Sequence, residues 1–271
     1  MWPMRSDTSS RSGKRDFVRQ RRKWGSPGWS HRESYEGLHL GAVVHRARLR
    51  LILRVIESLN LDNIGSLADF GCSDGFILSL LYEQLFRDRE WVFYGFDVKH
   101  DLLQRASERC IPGARFEAAD LNEADVTESG QFDLVLCFET VEHTGNYKNA
   151  ALNVARSCKV GGHILMSAPH EMGWRGVAKF LARKALQIDP YGNFFNGKSQ
   201  WRYFKETLTN GDIEQFRQPP CKGWGPHLGF DIHRFEAFLE GNLFNRGEYC
   251  LVEIYTSFLG FNRLYMIERV A

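Results

Sequence analysis

The chain has 271 residues, 43% of them apolar, with 35 Lys or Arg against 33 Asp or Glu and a formal net charge of +2. That length fits one large domain or two small ones, and that apolar share is ordinary for a globular protein with a real core. No apolar run reaches the roughly 18 residues a spanning helix needs, and the basic N-terminus lacks the apolar stretch of a secretory signal.

The six cysteines (Cys72, Cys110, Cys137, Cys158, Cys221, Cys250) are scattered, with no CxxC pair. They read as small core residues in a reducing compartment, so a cytoplasmic location is expected. The charge is uneven. Residues 1–32 carry nine Lys or Arg and two Asp, so this segment is +7 and the remainder −5. With its Ser, Gly and Pro content and no periodicity, residues 1–36 read as a basic, disordered arm ahead of a domain at 37–271. A solvated tail, contact with nucleic acid, contact with an anionic membrane surface and a transit peptide all stay open.

Residues 38–61, "LHLGAVVHRARLRLILRVIESLNL", set apolar positions at helical spacing and predict an amphipathic helix. Elements then alternate. A strand at 66–70 leads to a helix over about 75–87, "WVFYGFD" is a strand and "HDLLQRASERC" a helix. "ARFEAAD" is a strand ending at Asp120, "FDLVLCFE" (132–139) a strand and "NYKNAALNVARSC" a helix. Gly161 and Gly162 break that helix before the strand "HILMSAP". Apolar strands alternating with helices predict an α/β fold with a parallel sheet covered on both faces. The β-rich runs "GEYCLVEIYTSF" and "GFNRLYMIERV" predict an antiparallel hairpin at the sheet edge. Between 171 and 229 the rhythm fails, and a long interruption of this kind is a lid or binding element.

The stretch "SLADFGCSDGFILSLL" (66–81) interrupts the core with a small, polar turn. In an open α/β sheet, ligands bind at the carboxyl ends of the strands, and a Gly-rich turn lets them approach the backbone. A dinucleotide fingerprint would need glycine at 73 and 76, where Ser73 and Phe76 stand, and a P-loop would need a following Gly-Lys-Ser/Thr. The acids fit another ligand. Asp69, Asp97 and Asp120 end three successive strands and suit a ligand with a ribose, an adenine and a positive charge.

In order, "LADFGCSDG", "YGFDV", "FEAADL", "FDLVLCFETVEH" and "KVGGHILMSAP" resemble the motifs of class I S-adenosylmethionine-dependent methyltransferases. The resemblance covers about residues 64–170, and the hairpin at 248–270 matches that family's last two strands. It implies a Rossmann-like fold with a mostly parallel seven-stranded sheet and a C-terminal antiparallel hairpin, and S-adenosylmethionine as cofactor. It further implies Gly71, Cys72 and Gly75, with Ser73 in place of a frequent glycine and Asp69 beside them, against the methionine part. By the same resemblance Asp97 holds the ribose, Val98 covers the adenine face, Asp120 with Leu121 reads the adenine edge, and Phe138 closes the site by the sulfonium.

On the acceptor side, "CFETVEHT" sets Glu139, Glu142 and His143 at i, i+3 and i+4, one face of a helical turn. This ExxEH pattern resembles the ubiquinone-biosynthesis O-methyltransferases and the small-RNA 3′-terminal 2′-O-methyltransferases. That resemblance implies a divalent cation, Mg or Mn, with His227 or His170 completing the ligand set; an acid–base cluster is the alternative. His143 and His170 are the candidate general bases. The insert opens with a basic amphipathic helix, "GWRGVAKFLARKALQI", whose stripe Trp174, Val177, Ala178, Leu181, Ala185 and Ile188 is expected to pack on the domain, with a membrane surface as the other reading. The expected function is methyl transfer to oxygen on a small molecule or a glycan or lipid-linked intermediate. RNA is the alternative acceptor, and a non-catalytic cofactor-binding module the alternative class.

Overall fold

The computed structural model describes residues 35, 40–60, 65–185, 197–218 and 225–271. The N-terminal arm, apart from Tyr35, and the aromatics Tyr191, Phe194 and Phe195 of the insert therefore lie outside the described residues.

Seven strands form one sheet: β1 (Ser66–Phe70), β2 (Val92–Asp97), β3 (Ala114–Ala118), β4 (Phe132–Phe138), β5 (Cys158–Pro169), β6 (Tyr249–Ser257) and β7 (Asn262–Arg269). Their order is β3-β2-β1-β4-β5-β7-β6. The five strands from β3 to β5 are mutually parallel, and β7 runs antiparallel between β5 and β6. The expected mostly parallel sheet with a C-terminal antiparallel hairpin is what the chain forms. Strand order reverses between β1 and β4, so the crevice for a ligand opens at their carboxyl ends.

The period-2 pattern of the strands feeds two apolar layers. Leu67, Phe93, Leu134, Leu136 and Phe138 face α1 (Leu40–Glu57), α2 (Phe76–Leu81) and α3 (His100–Ser107). Ala68, Phe70, Phe132, Val135 and Cys137 face α4 (Tyr147–Ser157) and α7 (Ile232–Leu239). At the base of the sheet Asp133 accepts from the Gly65 and Ser66 amides, the Ser66 hydroxyl and Lys159 Nζ, which ties the starts of β1, β4 and β5 together and holds its carboxyl below the usual range despite partial burial.

Several boundaries differ from expectation. The α2 helix stops at Leu81 and continues as a wider π-type turn, Tyr82–Phe86. β3 ends at Ala118, two residues before Asp120, and β5 already starts at Cys158, so Gly161 and Gly162 lie inside a strand with shifted register against β4. The insert is more helical than its aromatic composition implies: α5 (Gly173–Ala185), as expected, is joined by α6 (Gln200–Leu208), capped by Ser199 Oγ on the Arg202 amide. The stripe on α5 packs only in part: Val177 and Ala178 are half-buried, Trp174 and Leu181 are exposed, and Ile188 lies outside the described residues. The closest approach of α5 is at Gly176, where a side chain would strike the Glu171 carbonyl and Thr207.

Candidate functional site

The site is built at the carboxyl ends of β1, β2 and β4. After β1 the chain bends sharply: the Gly71 and Cys72 amides both donate to the Phe96 carbonyl, 2.7 and 3.0 Å away, and the Gly75 amide donates to the Cys72 carbonyl. Gly71 lies at φ +80, and a side chain there would collide with Thr140 in the loop after β4, so this bend requires glycine. Ser73 takes φ +54, a left-handed conformation that L-residues with a Cβ adopt at a cost. Its amide donates to Asp97 Oδ2 at 2.9 Å, and the Lys99 amide to Asp97 Oδ1 at 2.9 Å. A carboxylate has roughly four acceptor positions, so Asp97 keeps capacity for two hydroxyl donors. Burial raises its pKa, and the Lys99 and Ser73 amides oppose that rise.

Asp69 is buried and its pKa is pushed up to about 8, first by burial and then by Asp97. Asp69 Oδ2, Ser73 Oγ and Asp74 Oδ1 are buried polar atoms with no protein hydrogen-bond partner, an arrangement that native interiors reserve for water or a ligand. The turn thus offers carboxylate and hydroxyl groups to a polar, cationic guest. Arg109 steadies it from the turn after α3, donating to the Asp74 carbonyl and, at 2.8 Å, to Asp74 Oδ2.

Other expected cofactor residues fall in three places. Cys72 and Phe138 have side chains inside the apolar layer under α1 and α2, and burial holds the Cys72 thiol well above its ordinary pKa, so it is unreactive. Val98, half-buried, follows β2 at the crevice. Asp120 closes a local turn, its Oδ1 accepting from the Asn122 amide and side chain at 2.9 and 2.6 Å, while Leu121 packs into the α4 layer. Sequence reading missed what fixes this loop: Asn149 and Asn153 of α4 donate to the carbonyls of Leu121 and Glu123, and Asn122 Oδ1 accepts from the Gly145 and Asn146 amides.

The ExxEH segment departs from the expected helical face. Glu139 takes φ +52, and only Val141–His143 forms a single 3-10 turn, so Glu139 leaves the helical register. Its carboxylate is engaged by Arg48 of α1 at 2.9 Å, by Asn262 of β7 at 2.7 Å and by the Ser167 hydroxyl at 3.2 Å. Among the described residues, no three His, Cys, Asp or Glu side chains are grouped so as to hold a metal ion. The expected ligand set of Glu139, Glu142, His143 and His227 is thus not brought together in this geometry: the turn at Glu139 sends the first carboxylate to Arg48.

What does assemble is an acid–base chain. His143 Nδ1 lies 2.8 Å from the Gly225 carbonyl, and the Gly225 amide donates to the His143 carbonyl. A carbonyl only accepts, so Nδ1 carries the proton and the basic lone pair sits at Nε2. Burial, followed by His227, holds His143 well below its ordinary pKa, so the ring is neutral. The His227 ring stands 5.3 Å from that of His143, its Nδ1 is 3.2 Å from Glu171 Oε1, and Glu171 pairs with Lys179 of α5. Glu142 is buried, with Oε1 3.9 Å from His143 Nε2, and burial with the nearby Glu139 raises its pKa well above the usual range. Arg217 donates to the Glu142 and Thr144 carbonyls and fixes the turn from the insert.

His170 does not join this chain. Its amide donates to the Phe261 carbonyl, its ring lies 5.5 Å from His233, and burial with Arg263 and Arg175 lowers its pKa to about 4.

A doubly wound sheet with a glycine bend at its switch point and acids on successive strand ends defines a nucleoside-binding Rossmann-like protein of the methyltransferase type. The profile of the family described as "Methyltransferase domain" matches residues 43–210, and the chain belongs to that family. Its fold is similar to magnesium protoporphyrin IX methyltransferase from Synechocystis PCC 6803, solved with bound SAH (13% identity, 88% of this chain and 92% of that one, TM-score 0.52). The CurJ carbon methyltransferase (11% identity, 82% and 54%, TM-score 0.52) and an O-methyltransferase family protein from Burkholderia thailandensis (14% identity, 85% and 58%, TM-score 0.51) share it too. The chain spans about half the length of several structures it matches. No curated protein matches it. Among the described residues no helix is long and apolar enough to cross a membrane.

Proposed function

We propose that this chain transfers a methyl group from S-adenosylmethionine to a hydroxyl oxygen of a small molecule or of a glycan or lipid-linked intermediate. The donor, when bound, supplies an electrophilic methyl group on a sulfonium. The chain's own residues do the rest. The Gly71–Gly75 bend, with Cys72 and Ser73 in it, admits the amino-acid end of the donor, and Asp69 offers a carboxylate toward its ammonium. Asp97 accepts from the ribose hydroxyls, Val98 covers the adenine, and Asp120 with Leu121 borders its edge; Phe138 forms the floor near the sulfonium.

The observation that carries the choice of oxygen is the tautomer of His143. A hydroxyl acceptor must lose a proton during displacement, whereas carbon or amine acceptors need less help. A neutral imidazole with its proton fixed on Nδ1 by Gly225 carries a basic nitrogen, Nε2, for that task. His227, backed by Glu171 and Lys179, lines the same chain and borders the acceptor.

The test is a labelled-methyl transfer assay over small-molecule, glycan, lipid and RNA fractions, run with the full chain and with His143→Gln. Label is expected in a hydroxyl-bearing small-molecule, glycan or lipid fraction. The variant should lose about a hundredfold or more of kcat, the scale of general-base assistance, while binding the donor unchanged. Label in RNA alone, or an unimpaired variant, overturns the acceptor assignment. No heat of donor binding by calorimetry overturns methyl transfer itself and favours neither acceptor.

A further inference from the structure

The insert carries an apolar face that is exposed and that none of the described residues covers. α5 and α6 pair through Gly176 against Thr207 and through Phe180 against Phe204, ring centroids 5.7 Å apart. Rising numbers on one helix meet falling numbers on the other, so the pair is antiparallel. Helical periodicity then sets Trp174 and Leu181 of α5 and Trp201 and Leu208 of α6 on one side of the pair. All four are exposed, at 55%, 55%, 73% and 50%. Beside Trp174, whose ring lies 6.0 Å from Phe261, Leu259 tips the β6–β7 turn, 69% exposed and at φ +57. A leucine in a left-handed conformation that gains no burial from it is a cost without a return inside the fold.

The charge around this face has one sign. The described side chains of α5, α6 and the turn before α6 include the cations Arg175, Lys198, Arg202 and Lys205 against a single acid, Glu206, while Lys179 turns to the other side and pairs with Glu171. Arg175 stands over the Trp174 ring, 4.9 Å from its centroid, and donates to the Leu259 carbonyl. Exposed tryptophan and leucine ringed by long cationic side chains is the composition of an interfacial element. The apolar groups enter the boundary of the acyl chains, and the cations remain among anionic headgroups.

We propose that the α5–α6 face, with Leu259 at its edge, docks this protein on an anionic lipid surface. The opposite side of α5 sends Lys179 to Glu171 in the acid–base chain, so docking would hold the acceptor crevice next to the membrane. The inference goes beyond the methyl-transfer reading and stands independently of it.

The experiment is sedimentation of the full chain with phosphatidylcholine vesicles, with and without phosphatidylserine, alongside tryptophan emission. The wild type is expected to sediment with phosphatidylserine vesicles only, to release in high salt, and to shift its emission to shorter wavelength. Arg202→Glu with Lys205→Glu should lower the partition coefficient roughly tenfold or more, as expected for losing two cations near an anionic surface. Leu181→Ser with Trp201→Ser should abolish the emission shift, with circular dichroism and donor binding unchanged. No sedimentation with either vesicle overturns the proposal. So does binding that survives both pairs of substitutions and disappears with residues 1–32, since that would locate the contact in the arm. Loss of a dimer in sedimentation velocity, or of RNA binding, in the Leu181–Trp201 variant without any vesicle effect overturns it in favour of those partners.

Discussion

Asp69 sits where a carboxylic acid is favoured over a carboxylate: buried, beside Asp97, with Oδ2 unpartnered and a pKa near 8. A pKa raised on folding stabilises the folded chain fully only below the ordinary carboxylate value. That contribution is lost as pH rises toward about 8. A cationic guest reverses the preference, because it needs the ionised form. Donor affinity should therefore rise with pH from about 6, by at most about tenfold per unit, and level off above the Asp69 pKa. Calorimetry in two buffers of different ionisation heat should show proton release on binding at neutral pH. Asp69→Asn should remove both effects, and an affinity flat across this range in the wild type would disprove the assignment. Ser73 gives a second prediction at this scale. Its left-handed φ strains any residue with a Cβ, so Ser73→Gly should raise unfolding stability by about 1 kcal/mol after allowing for glycine's larger unfolded-state entropy. Donor affinity should fall, because the buried Ser73 hydroxyl has no protein partner to serve. Thermal melts with and without donor separate the two effects.

Among the elements, β1, β2, β4 and the second half of β5 were legible because each is an apolar run bounded by glycine, proline or acid, and α1 and α4 because their apolar positions repeat at helical spacing; β3 is short and mixed in polarity and was read from its place in the alternation. The acids at the ends of β1 and β2 were legible for the same reason: a polar residue stopping an apolar run is a pattern. Helices α6 and α7 were not read. Both are rich in aromatic residues of modest helix propensity, and their start signals are local: Ser199 Oγ on the Arg202 amide and Asp231 Oδ1 on the His233 and Arg234 amides. Nor could spacing show that Asp120 belongs to a loop clasped by α4. Asn153 Nδ2 donates to the Leu121 and Glu123 carbonyls from a buried position. Asn153→Ala removes one of the two side-chain donors each of those carbonyls has, Asn149 supplying the other, and should lower stability by about 1 kcal/mol, the net worth of a hydrogen bond. Urea unfolding measures that loss. Donor affinity should drop with it, since residues 120–121 border the adenine in the proposed mode; a loss of stability with donor affinity unchanged would remove this loop from the donor site.

At the scale of the whole molecule, Glu139 joins parts of the chain that no sequence pattern connects. Its carboxylate meets Arg48 from the first described helix, Ser167 from β5 and Asn262 from the last strand. Helical spacing, together with the resemblance of the ExxEH pattern, made it a candidate metal ligand; periodicity assumes a continuous helix, and the positive φ at Glu139 breaks that assumption. Arg48 carried no motif and was invisible for the opposite reason: its role depends on a tertiary contact. The ion pair is largely buried, with side chains 5% and 19% exposed. Removing one partner of such a pair leaves a desolvated charge and costs about 3 kcal/mol or more, whereas removing both costs far less. Arg48→Met alone should therefore destabilise the chain strongly, and Arg48→Met with Glu139→Gln should recover much of the loss in urea unfolding. The cycle also decides what Glu139 does in the reaction. If it is a structural hub, the double variant regains methyl transfer together with stability, and chelators leave the wild type unaffected. If it holds a metal, the double variant is stable but inactive, and a chelator abolishes wild-type turnover. The contacts to Arg48, Ser167 and Asn262 predict the first result.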